Sequence, residues 1–75
     1  MKNLFEEKCG NNTYDLFAED SDGVRYGISV ISAEESAVIR DITTIYEKAY
    51  DIYETLIRNY VSPLHAECII TDLIS

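Results

Sequence analysis

The chain has 75 residues, 47% of them hydrophobic, and 14 acidic side chains against 6 lysines and arginines, for a formal net charge of −8. That length specifies a single small domain spanning residues 1–75, and the apolar content suits a folded core rather than a disordered tail. No segment is basic: Lys2, Lys8, Arg25 and Arg40 face eight acids in the first 40 residues, and Lys48 and Arg58 face six in the rest. This balance excludes a footprint for the nucleic-acid backbone and argues against anionic membrane surfaces.

Residues 1–12 mix Leu4 and Phe5 with Glu6, Glu7 and Lys8 and end in Gly10-Asn11-Asn12. They read as a weakly ordered lead-in. The segment has neither the composition of a signal peptide nor an apolar run of membrane length, so a cytoplasmic location is expected. Cys9 and Cys68 are then expected as thiols.

Residues 13–42 carry the strand signal. From Thr13 to Asp20, Tyr14, Leu16 and Ala18 alternate with Asp15, Phe17 and Glu19. From Val24 to Ser32, Val24, Tyr26, Ile28 and Val30 alternate with Arg25, Gly27 and Ser29. A three-residue loop, Ser21-Asp22-Gly23, pairs Ala18 with Tyr26, Leu16 with Ile28 and Tyr14 with Val30. A two-residue loop would mix the two faces. The pattern therefore selects the longer loop, with Gly23 in a left-handed conformation. After a turn at Ala33-Glu34-Glu35-Ser36, Ala37 to Ile42 makes a short third strand. Three consecutive strands predict an antiparallel meander that needs a cover on one face.

Residues 44–74 supply that cover as a helix hairpin. Thr44-x-x-Glu47 has the form of a capping box, opening a helix over residues 45–60. On it Ile45, Ala49, Ile52 and Leu56 form an aliphatic stripe, and Tyr46, Tyr50, Tyr53, Ile57 and Tyr60 lie beside it. Ser62 caps a second helix with Pro63 at its first position, and Ala66, Ile69, Ile70 and Leu73 form its inward stripe. The short connection predicts an antiparallel helix pair. The expected architecture is α+β, in the order β-β-β-α-α: a three-stranded antiparallel meander covered on one face by a C-terminal antiparallel helix pair.

Tyr26-Gly27, Ile39-x-Asp41-Ile42-Thr43, Asn59 and Ser62-Pro63-Leu64-His65 resemble the pattern of a family of small, uncharacterised Gram-positive bacterial proteins, classed as a domain of unknown function. The likeness spans roughly residues 26–73. It implies the fold and brings no activity, cofactor or partner with it. The tail departs from the pattern at Cys68-Ile69-Ile70-Thr71, where the family is more acidic, and the tyrosine-rich helix face is unusual for it.

Candidate chemistry is sparse. His65, Cys68 and Asp72 fall at i, i+3 and i+7 on one face of the last predicted helix. A histidine, a thiol and a carboxylate suit a zinc site or a thiol nucleophile. A zinc site lacks a fourth ligand, and a nucleophile lacks an oxyanion hole and a pocket, so these residues read first as structural. Glu19 to Gly23 imitates part of a calcium loop, but Ala18 and Ser29 fall where carboxylates are required. Asn11-Asn12-Thr13 matches a glycosylation acceptor that a cytoplasmic chain does not use. No phosphate or dinucleotide fingerprint is present, and no cofactor is expected. The tyrosine face carries the stronger lead: Tyr46, Tyr50, Tyr53, Ile57 and Tyr60 form a candidate surface for self-association or for a protein partner. The function expected is that of a non-enzymatic interaction or regulatory module. The alternative is a metal-binding or thiol-based protein using His65, Cys68 and Asp72.

Overall fold

A computed structural model describes residues 2–20 and 22–74. Four strands and two helices follow in order: β1 (Lys2–Cys9), β2 (Asn12–Asp20), β3 (Val24–Ile31), β4 (Ser36–Thr43), α1 (Tyr46–Arg58) and α2 (Pro63–Ile74). The strands form one antiparallel sheet in the order β1-β2-β3-β4. The architecture is thus α+β with both helices at the C-terminal end, but the meander has four strands rather than three.

The additional strand corrects the reading of residues 1–12 as a weakly ordered lead-in. Cys9 pairs with Asn12, leaving Gly10-Asn11 as a two-residue hairpin loop. Gly10 has φ +64°, the sign such loops require of their first residue. β1 is a sheet edge whose side chains are mostly exposed, so water tolerates its lysines and glutamates and the sequence carries little apolar alternation. A bulge between Asn3 and Phe5 turns Phe5 toward the helix side, opposite Leu16.

The β2–β3 hairpin has the register the alternation selects: Tyr14 pairs with Val30, Leu16 with Ile28 and Ala18 with Tyr26. Asp20 pairs with Val24, leaving three residues in the loop, and Gly23 has φ +109°. Ser21 lies outside the described residues.

Simple alternation fails in β4. Between the pairs Tyr26–Thr43 and Ile28–Ile39, one residue of β3, Gly27, faces three of β4: Arg40, Asp41 and Ile42. Asp41 takes a left-handed φ of +56°, which a short polar side chain tolerates. Its carboxylate accepts a hydrogen bond from Arg25 at 2.7 Å. This bulge lets both Ile39 and Ile42 join the helix-side core although they are three residues apart.

That core gathers Tyr14, Leu16, Ile28 and Val30 from the sheet, Ala49, Ile52, Tyr53 and Leu56 from α1, and Ala66 and Ile70 from α2. Phe17 faces the other side of the sheet and is still only 2% exposed. Its ring lies across Gly27, its partner in the register. A Cβ at Gly27 would collide with that ring and would stand 2.7 Å from the carbonyl oxygen of Ile39. The missing side chain of Gly27 is thus the seat of Phe17.

The helix ends differ from the sequence expectation. The predicted capping box does not form: the N-cap is Ile45, which offers no side-chain acceptor. The Thr43 hydroxyl instead accepts the Ile45 N–H at 3.1 Å, which delays the helix start past Thr44. At the other end α1 stops at Arg58, before Tyr60. The Val61 N–H bonds to the Leu56 carbonyl and the Tyr60 N–H to the Ile57 carbonyl. Tyr60 has φ +50°. This is a Schellman motif with a tyrosine where glycine is usual, closed by the buried pair Leu56 and Val61. Pro63 opens α2, and the Ser62 carbonyl accepts the His65 and Ala66 N–H groups.

Candidate interaction surface

α1 lies over the helix side of the sheet, and its tyrosines divide into three environments. Tyr53 is 4% exposed. Its hydroxyl donates to the Tyr14 carbonyl oxygen at 2.9 Å. The Tyr14 hydroxyl in turn donates to the Val61 carbonyl oxygen at 2.8 Å and accepts from Asn12 Nδ2 at 3.2 Å. These two tyrosines tie α1 to β2 and β2 to the corner between the helices. Burial pushes the Tyr53 hydroxyl up to about 12, reinforced by the negative charges of Glu7 and Asp15. Burial likewise raises Tyr14, against a smaller lowering by the Asn12 hydrogen bond. Ile57 is half-buried and packs on the same core.

Tyr46 and Tyr50 belong to a row of rings along the rim of α1. Tyr26 meets Tyr46 edge-on at 5.7 Å, and Tyr46 stacks on Tyr50 at 6.3 Å with 21° between the planes. Tyr50 meets Phe5 of β1 at 5.4 Å. Phe5 is 41% exposed and Tyr46 39%. The row therefore seals the sheet on one side and leaves ring surface open on the other. Val24, on the same face of β3 as Tyr26, and Ile45, beside Tyr46, extend the apolar rim and are also exposed. Tyr60 stands apart at the Schellman corner, 68% exposed.

Phe5 and Tyr26 are the surface residues that the helix periodicity alone does not identify. The signal for Phe5 was the Leu4-Phe5 pair inside a charged segment ahead of a Gly-Asn turn. Tyr26 was placed on the inward face of its strand but not linked to the tyrosines of the helix.

His65, Cys68 and Asp72 all lie on the exposed side of α2. His65 lines a groove of about 360 Å³ with Tyr60 and Ile69. Cys68 lines a different one, of about 500 Å³, with Pro63, Leu64 and Ala37. Among the described residues, no group of three or more histidine, cysteine, aspartate or glutamate side chains could hold a metal ion. Cys68 and Asp72 also share a groove of about 320 Å³ with Glu67 and Thr71, but His65 lines a separate one, so the spacing on one helix face brings only two of the three residues together. Cys9 and Cys68 are both free thiols. No helix among the described residues is long and apolar enough to cross a membrane.

An α+β domain of this layout, with a row of rings along its rim, defines a structural class. Residues 3–75 match a family of unknown function, DUF6514, and the chain belongs to that family. No curated protein and no solved structure matches the chain.

Proposed function

We propose that this protein is a small non-enzymatic module of the bacterial cytoplasm, of Gram-positive source as the family likeness implies, that works through protein–protein contacts. The contact surface is the aromatic rim of α1, β1 and β3, and self-association is its first use. The observation that supports this reading is the continuous row Tyr26–Tyr46–Tyr50–Phe5, in which Phe5 and Tyr46 remain about two-fifths exposed. Rings held in fixed positions by one another lose little side-chain entropy on docking and present wide apolar area, which is why such side chains dominate interface energetics. An exposed apolar cluster of this kind on a small domain marks an interaction site.

Sedimentation velocity over a concentration series tests it. The wild-type chain is expected to shift toward a dimer with concentration, and Tyr46→Ala and Phe5→Ala to abolish the shift while leaving the circular dichroism spectrum unchanged. A strict monomer whose behaviour neither substitution alters would remove self-association.

A further inference from the structure

A second surface, on the other side of α1, has a different chemistry. A groove of about 400 Å³ runs between α1 and the last turn of α2, lined by Lys48, Asp51, Ile52, Arg58, Leu73 and Ile74. From Asp41 onward the chain has only two cations, Lys48 and Arg58, and both border this groove. Lys48 is exposed and Arg58 holds only a loose, exposed pair with Glu54 at 3.9 Å. Arg25 and Arg40, by contrast, are drawn across the sheet to Asp41 at 2.7 Å and Glu19 at 3.6 Å. The floor is apolar: Ile52 is 6% exposed, and Leu73 and Ile74 are each almost half exposed.

We propose that this groove binds an extended acidic segment of a partner protein, with two carboxylates flanking an apolar residue. Lys48 and Arg58 are ten residues apart on a helix, a rise of about 15 Å. An extended peptide covers that distance in about four or five residues at ~3.3 Å each. One carboxylate meets each cation. The apolar side chain between them lies on Ile52, Leu73 and Ile74. Asp51, one turn from Lys48, accepts a backbone N–H of the peptide and disfavours a third carboxylate there. The Thr55 hydroxyl donates to the Asp51 carbonyl oxygen at 2.8 Å, so its oxygen is left to accept a second N–H. Charge complementarity selects this occupant: in a chain of net charge −8, a groove with a cation at each end is the local exception.

The test is fluorescence anisotropy with a labelled synthetic peptide carrying two glutamates four residues apart around a leucine, and a control in which both glutamates are lysines. The glutamate peptide is expected to bind and the lysine peptide not. Lys48→Glu and Arg58→Glu should each weaken binding by about five- to tenfold, the range for solvent-exposed ion pairs reversed in sign. Lys48→Gln and Arg58→Gln should act in the same direction by less, with thermal melts confirming that all four variants fold. Tyr46→Ala should leave the affinity unchanged, which separates this groove from the aromatic rim. Failure of the glutamate peptide to bind, equal binding of the two peptides, or indifference to all four substitutions would overturn the proposal. So would a change in self-association with Lys48→Glu in place of a change in peptide affinity, because the occupant would then be a second copy of the chain.

Discussion

Tyr53 and Tyr46 stand two turns apart on α1, and the molecule uses them in opposite ways. Tyr53 is sunk into the core with its hydroxyl bonded to the backbone of the central strand β2, whereas Tyr46 leans on Tyr26 and Tyr50 with two-fifths of its surface exposed. The residue type is the same, the helix is the same, and the sequence places both on one apolar arc. What separates them is the shape of the sheet below: β2 runs beneath Tyr53, and the rim runs beneath Tyr46. A tyrosine stripe at helical spacing therefore mixes a structural lock with a surface, and only the element it lands on tells them apart.

The sharpest way to break this comparison is to truncate both rings. Tyr53→Ala should cost about 3–5 kcal/mol, as for other fully buried aromatic side chains, and Tyr46→Ala less than about 1 kcal/mol. Urea denaturation would measure both, and equal losses would show that the two tyrosines do not differ as described. Removing only a hydroxyl sharpens the same point. Tyr14→Phe leaves the Val61 carbonyl oxygen without the donor that reaches it at 2.8 Å, and should cost about 1–2 kcal/mol.

Alkaline pH addresses the lock without mutation. An unfolded tyrosine ionises near pH 10, while the fold holds Tyr53 protonated up to about 12 and Tyr14 is shifted in the same direction. The folded state binds these protons more tightly than the unfolded state. Their stabilisation is therefore complete below pH 10 and is lost as pH rises toward 12. Thermal melts should show the midpoint falling across that window, with a smaller fall in Tyr53→Phe. A midpoint insensitive to pH above 10 would contradict the buried geometry.

A small effect of the opposite sign is expected at Tyr60. Its left-handed backbone costs a bulky residue about 1 kcal/mol, and its side chain is two-thirds exposed. Tyr60→Gly should therefore raise stability by about 1 kcal/mol, read in the same urea titration. A loss of stability would place Tyr60 among the structural tyrosines.

The legible and illegible parts of this fold divide along physical lines. The β2–β3 register could be read because one face of each strand is buried, and a shift by one residue would have exposed Leu16 and Ile28. β1 could not be read because an edge strand satisfies one row of its backbone groups with water and carries charges that imitate a loop. The bulge at Asp41 was hidden because a left-handed aspartate lets Ile39 and Ile42 share a face at a spacing that alternation forbids. Phe17 alternates with Asp15 and Glu19 on the polar face of β2, and it is buried there because its ring lies over Gly27. Those two features give a physical account of Tyr26-Gly27 and Ile39-x-Asp41-Ile42-Thr43, residues that carry the family likeness. Asn59 and Ser62-Pro63 serve the helix ends: Asn59 is the C-cap of α1, its side chain bonding the Thr55 carbonyl, and Pro63 opens α2. The aromatic rim was legible only along α1, because Phe5 and Tyr26 reach it from strands distant in sequence.

The most direct test of the central claim is a dilution series followed by NMR of the aromatic ring resonances. The account predicts that signals of Phe5, Tyr26, Tyr46 and Tyr50 move with protein concentration, while those of Tyr14 and Tyr53 stay fixed. Rings of the rim that remain fixed while other surface residues shift would contradict it.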